Sequence, residues 1–173
     1  MQNINIDYSK VAEDDMPMYE RVVSNAFAYI KNKYPMLCYC GLKINLSSYG
    51  GGSNFKPSKR TGWRIKVSNR HKMHFYDRNS CGLTTPKGGI PVPVELDATI
   101  TLIHELTHYA QGVFGNGIYS EIDTTKNSIE YLEMYHPDIH KKLVKTKSNR
   151  VKKTTLEKLF SEITENANEL ITT

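Results

Sequence analysis

The sequence predicts an α+β protein, with short strands gathered in its first half and helices in its second. Two observations carry this. Trp63-Arg-Ile-Lys-Val67 alternates apolar and polar residues, the two-residue period of a strand with one buried face. From Asp97 onward the apolar residues recur instead every three or four positions, as they do along an amphipathic helix. Such segregation of the two periods is the mark of the α+β class.

In chain order, the polar start is followed by Asp14-Asp15-Met16-Pro17, an acidic cap with proline in the first turn of a helix. Tyr19, Val22, Val23, Ala26, Phe27 and Ile30 form its apolar stripe, and Pro35 ends it near Lys33 or Tyr34. Residues 36–47 alternate loosely, which makes Leu37, Tyr39, Leu42, Ile44 and Leu46 strand candidates and places Cys38 and Cys40 on one face of that strand. Gly50-Gly51-Gly52-Ser53 is a turn and lacks the Lys-Ser/Thr ending of a phosphate loop. After Trp63–Val67, residues 72–77 predict another strand and residues 80–89 a loop. Pro91 and Pro93 hold residues 90–94 to an edge strand or an extended approach.

Asp97 is the expected cap of the next helix and Gly112 its expected end, before a glycine-rich turn over residues 113–117. A further helix is expected from Thr124-Thr125 toward Pro137, then a short helical stretch from Asp138. An amphipathic helix over residues 155–171 carries Leu156, Leu159, Phe160, Ile163, Ala167 and Leu170 on one face. No internal repeat is evident.

At 173 residues the chain has room for one ordinary core, so a single domain over 1–173 is expected, with an α/β part to about 112 and a helical part over 113–173. No run reaches the eighteen or more apolar residues of a membrane span, so no membrane partner is expected. Met1–Tyr8 has no basic stretch followed by an apolar one, and three cysteines form no paired framework. Together these features predict a cytoplasmic protein. The net charge of +5 is unevenly placed: residues 141–153 hold Lys141, Lys142, Lys145, Lys147, Arg150, Lys152 and Lys153 and no acid. Such a run is usually a solvated face, yet it can also hold phosphates, which makes nucleic acid a candidate partner.

The chemistry is concentrated in His104-Glu105-Leu106-Thr107-His108. Histidines four apart stand one turn above each other on a helix face, so both imidazoles can converge on one cation. Glu105 lies at the edge of that face, where it can reach a metal-held water without becoming a ligand. Ile100, Ile103, Leu106, Thr107 and Ala110 supply the helical spacing. This is the zinc-hydrolase pattern, in which zinc acidifies a water and the glutamate takes its proton.

With Thr101-Leu-Ile before it, this motif resembles the active-site helix of the zincin metallopeptidases. The resemblance covers about Pro91 to Glu133. It implies a small, twisted, mostly antiparallel sheet packed on the motif helix, an edge strand that pairs with extended substrate, and one zinc ion. His108 is followed by Tyr109-Ala-Gln-Gly-Val-Phe-Gly115, with no His-x-x-Gly-x-x-His continuation, which argues against the metzincins. Asn116-Gly-Ile-Tyr-Ser120 and Asn127-Ser-Ile-Glu-Tyr-Leu132 are similar to gluzincin segments of the thermolysin type. That likeness implies Tyr119 as an oxyanion donor and Glu130 as third ligand beside His104 and His108. The Asp that commonly follows the ligand Glu by four residues is replaced here by Met134, so His104 must be oriented by another group. The small size is that of a minimal zincin, such as the SprT-like enzymes, which act near DNA.

Other third ligands stay open: Glu121, placed in a turn by this reading, Glu133, His136 and His140. His74 and His136 are further oxyanion candidates, and His71 is read as an ordinary strand residue. The expected function is a zinc metalloendopeptidase with Glu105 as general base. The alternative is a basic nucleic-acid- or partner-binding module, using residues 141–153 and Lys59-Arg60, with a structural or vestigial zinc site.

Overall fold

A computed structural model describes residues 4–49, 52–57, 62–68, 72–76, 82–115 and 118–145. The expected turn at Gly50-Gly51, the loop Lys59-Arg60, His71, Cys81, the basic residues from Lys147 on and the helix over 155–171 lie outside those residues.

The class is α+β. A four-stranded sheet is built from β1 (Asn5–Lys10), β2 (Leu42–Ser47), β3 (Asn54–Lys56) and β4 (Trp63–Ser68), in the order β1-β2-β4-β3. The expectation of a mostly antiparallel sheet is corrected: β1 runs parallel to β2 and β2 parallel to β4, and only β3 is antiparallel, on β4. The reason is the crossover. α1 (Met16–Lys33) carries the chain from the end of β1 back to the start of β2, and such a return produces parallel neighbours. β1 itself is half-buried and polar, which is why composition conceals it; Ile4, Ile6 and Tyr8 pack on the core.

α1 opens with Pro17 in its first turn and stops at Tyr34, which leaves helical geometry one residue before Pro35. Its buried residues are Tyr19, Val22, Ala26, Tyr29 and Ile30. Leu42, Ile44 and Leu46 of β2 and Ile65 and Val67 of β4 alternate inward, as expected of strands with one buried face. Residues 37–41 are not part of β2. They form a loop that ends at Gly41, whose φ of 75° only glycine adopts cheaply.

Short ladders flank the sheet: β5 (Lys72–Met73) pairs with β7 (Ile90–Pro91), and β6 (Leu83–Thr84) with β8 (Val144–Lys145). The last of these places a strand within the part expected to be helical. Among the described residues, three helices lie between β7 and β8. α2 (Val94–Phe114) packs on α1, β3 and β4, and α3 (Glu121–Tyr135) packs on α2; a short α4 (Pro137–His140) follows.

α2 is longer than its sequence signals suggest. Pro93 stands at its cap, Asp97 is buried inside the first turns, and the helix passes Gly112 to end at Gly115. Gly112 is a contact residue rather than a stop. A Cβ there would lie 2.6 Å from the Trp63 ring, so glycine lets α2 cross β4 closely. No helix among the described residues is long and apolar enough to cross a membrane.

Candidate metal centre

α2 is anchored in the core by Leu102, Ile103, Leu106 and Ala110, all fully buried. The helical period then turns His104 and His108 together toward the cleft beside α3. Their rings stand edge to face with centroids 4.8 Å apart. His108 is buried and His104 half-buried.

The carboxylate that meets them is Glu121. Its Oε2 lies 3.3 Å from His104 Nε2 and its Oε1 lies 3.3 Å from His108 Nε2. The three donor atoms all fall within 4.8 Å of one another, the one such group of metal-ligating side chains among the described residues. Glu130 is elsewhere. It accepts a hydrogen bond from the Tyr29 hydroxyl at 3.2 Å and pairs with the Lys33 ammonium, both on α1. Glu121, not Glu130, is therefore the carboxylate brought beside His104 and His108. Nine residues along a helix are about 13 Å of rise, too far for one ion to span.

A local feature decides this. α3 begins at Glu121, three residues earlier than expected, because the Ser120 hydroxyl accepts the Asp123 amide at 3.3 Å. Ser120-Glu-Ile-Asp123 is a Ser-x-x-acid capping pattern, a signal the sequence held and the Thr124-Thr125 reading passed over. Glu121 is thereby in a first turn rather than a loose loop.

Gln111, fully buried, clamps this arrangement. Its Oε1 accepts the Ser120 amide at 3.0 Å, and its Nε2 donates to the Ser120 carbonyl at 2.9 Å and Asp123 Oδ2 at 3.2 Å. These partners settle which end of the amide is oxygen. The same Oε1 faces His108 Nδ1 at 2.9 Å, so Nδ1 carries the proton and Nε2 is the nitrogen aimed at the centre. Deeper in the α2–α3 contact, Asn127 Nδ2 donates to Thr107 Oγ1 at 3.0 Å and to the Tyr34 hydroxyl at 2.6 Å.

The donor set fits a cation. Two imidazole lone pairs and a carboxylate can share so small a space only with a proton or metal ion among them. Without metal, protons do this. Hydrogen bonds from His104 and then His108 hold Glu121 far below the usual carboxylate range, against partial desolvation. Burial disfavours charge on His108, but the hydrogen bonds to Glu121 and Gln111 outweigh it and raise its pKa above 6.5. Two imidazoles, one carboxylate and an open side are what a catalytic zinc takes.

The cleft above the centre has a volume of about 480 Å³, with Phe55, Tyr119 and Glu105 in its walls. Glu105 is buried beside His104, as the motif requires. Phe55, on the edge strand β3, lies over His108 with near-parallel rings 6.1 Å apart; nothing in the sequence pointed to it. Tyr119 stands edge-on to His108 at 6.0 Å, and partial burial raises its pKa, which keeps the phenol protonated. Its hydroxyl leans over Gly112, 3.1 Å from where a Cβ would be, one turn beyond His108.

The cleft continues along α2 past Asp97 and Thr101 to His74. Of the two further oxyanion candidates, His74 is thus in the cleft. His136 lines a separate pocket with Asn25, Glu95 and Asp138. Glu133 is exposed on α3, outside the group of three. The described part of the basic run, Lys141, Lys142 and Lys145, is exposed. Compared with protein-family models, curated proteins and solved structures, the chain gives no match.

Proposed function

We propose that the protein is a zinc-dependent metallopeptidase, with His104, His108 and Glu121 as the residues that hold one zinc ion. The observation that carries this reading is the bidentate approach of Glu121 to both histidine Nε2 atoms beside a buried Glu105. When bound, zinc would supply Lewis acidity to a water and to the scissile carbonyl. Glu105 takes a proton from the attacking water and delivers it to the leaving amine. Tyr119, in the wall of the cleft and neutral at working pH, donates to the developing oxyanion.

The outer edge of β3 runs beside this cleft, and Asn54 and Phe55 line it. Among the described residues no strand pairs with that edge, so it can take an extended peptide, the reason an endopeptidase is favoured. The likeness of the motif helix to that of the zincins supports the same reading.

Glu105→Gln tests it. The variant should bind zinc as the parent does while peptide hydrolysis falls by about 10²- to 10⁴-fold. Equal hydrolysis by purified parent and variant would overturn the assignment.

A further inference from the structure

The loop between α1 and β2 carries a second reactive group that the metal centre does not use. Cys38 and Cys40, expected to be same-facing strand residues, lie instead in an irregular loop with their sulfurs 2.7 Å apart. We propose that Cys38 and Cys40 are a reversible disulfide-forming pair that exchanges with small-molecule disulfides. This inference does not depend on the metallopeptidase reading.

The loop is fixed on both sides of the two sulfurs. Tyr39, between them, turns inward: its ring meets Phe27 edge-on at 5.1 Å and stacks on Tyr109 at 6.2 Å. The Tyr109 hydroxyl donates to the Cys38 carbonyl at 2.6 Å. The Leu42 amide donates to the Tyr39 carbonyl at 3.2 Å, and the Trp63 amide to the Gly41 carbonyl at 3.1 Å. With Tyr39 anchored inward, both thiols are left on the outer side of the loop. Much of the ordering that normally opposes ring closure is therefore already in place, and closure brings the sulfurs from 2.7 Å to a bond of roughly 2.05 Å.

Access differs between the two. Cys40 is exposed and Cys38 half-buried, so a small disulfide meets Cys40 first. The Cys40 thiolate attacks one sulfur of the disulfide RSSR, forming a mixed disulfide and releasing RS⁻. The Cys38 thiolate then attacks the Cys40 sulfur, forming the Cys38–Cys40 bond and expelling the second RS⁻. The two protons given up by the protein thiols end on the two RSH products. The protein pair loses two electrons and RSSR gains them. The neighbouring Cys38 thiol raises the Cys40 pKa, so the exchange should quicken as the solution is made alkaline.

The test is to treat the full chain, with Cys81→Ser to remove the third thiol, with oxidised glutathione and to read intact mass and a tryptic map. The expected product has lost two hydrogens, retains no glutathione, carries the bond within the peptide Tyr34–Lys43, and reverts with dithiothreitol. Cys38→Ser should stop at a stable glutathione adduct on Cys40. The same map on the unsubstituted chain guards against a folding defect from Cys81→Ser. Persistent glutathione on either cysteine with its neighbour reduced, cross-links between chains alone, or thiols that stay free would each overturn the proposal.

Discussion

Gln111 Oε1 lies 2.9 Å from His108 Nδ1, and through this contact a residue outside the five-residue motif sets which nitrogen of His108 faces Glu121. Because the same side chain holds Ser120 and Asp123, it joins the two helices that supply the three donors. Gln111→Ala should weaken zinc binding by about 10- to 100-fold, the usual effect of losing a ligand's outer partner. It should also lower stability by about 1–3 kcal/mol, because buried polar groups of Ser120 and Asp123 lose their partner. Competition titration with a chromogenic chelator and thermal unfolding measure the two effects. An unchanged zinc affinity would remove Gln111 from the site.

Glu121 and Glu130 separate cleanly by substitution. Glu121→Gln should reduce zinc affinity by about 10-fold or more, since a neutral amide replaces the anionic donor. Glu130→Gln should leave zinc binding unchanged and cost at most about 1 kcal/mol through its half-exposed pairing with Lys33. Metal analysis of the two variants, dialysed side by side, decides between them. The reverse pattern would restore Glu130 as the ligand.

Gly112→Ala sets two effects against each other. Alanine favours the helix by about 1 kcal/mol, but its methyl would lie 2.6 Å from Trp63, which is itself packed on Phe55 and Tyr109. Overpacking of this kind costs about 1–3 kcal/mol, so net destabilisation is expected, together with displacement of the Tyr119 hydroxyl. Trp63 is the only tryptophan, so its emission reports the local change directly. A stabilised variant with unaltered emission would contradict the close helix–strand crossing.

The metal-free and zinc-loaded forms should respond oppositely to pH. Glu121, held below 4.5 in the fold, contributes stability present above that value and lost on acidification. His108, held above 6.5, contributes stability present below that value and lost as pH rises through its folded pKa. The metal-free protein therefore draws most from this pair between about pH 4.5 and 6.5. Zinc must displace the His108 proton, so the stabilisation it adds should grow as pH rises through that same region. Thermal scans with and without zinc across this range test the crossing. Parallel pH curves would mean that the ion binds elsewhere.

Local patterns were readable where one period dominated. The α1 stripe, the alternation in β4 and the apolar face of α2 each follow from residues a few positions apart. β1 and β3 were not readable. β1 is only half-buried, β3 has three residues, and their place in the sheet depends on strands distant in the chain. Cys38 and Cys40 looked like strand residues because alternation continues through them; Tyr109, far along the sequence, holds that loop apart from β2.

The same division runs through the candidate metal centre. The four-residue spacing of His104 and His108, with Glu105 between, was determined by the sequence alone, because a helix turn converts it into a shared face. The third donor was decided by the tertiary structure. Several carboxylates follow α2, and which one returns to it depends on where α3 starts and how it packs. Ser120 starts α3 early, Gln111 ties that start to α2, and Lys33 with Tyr29 draws Glu130 to α1. These are contacts between distant residues, and so it is Glu121 that closes the group of three.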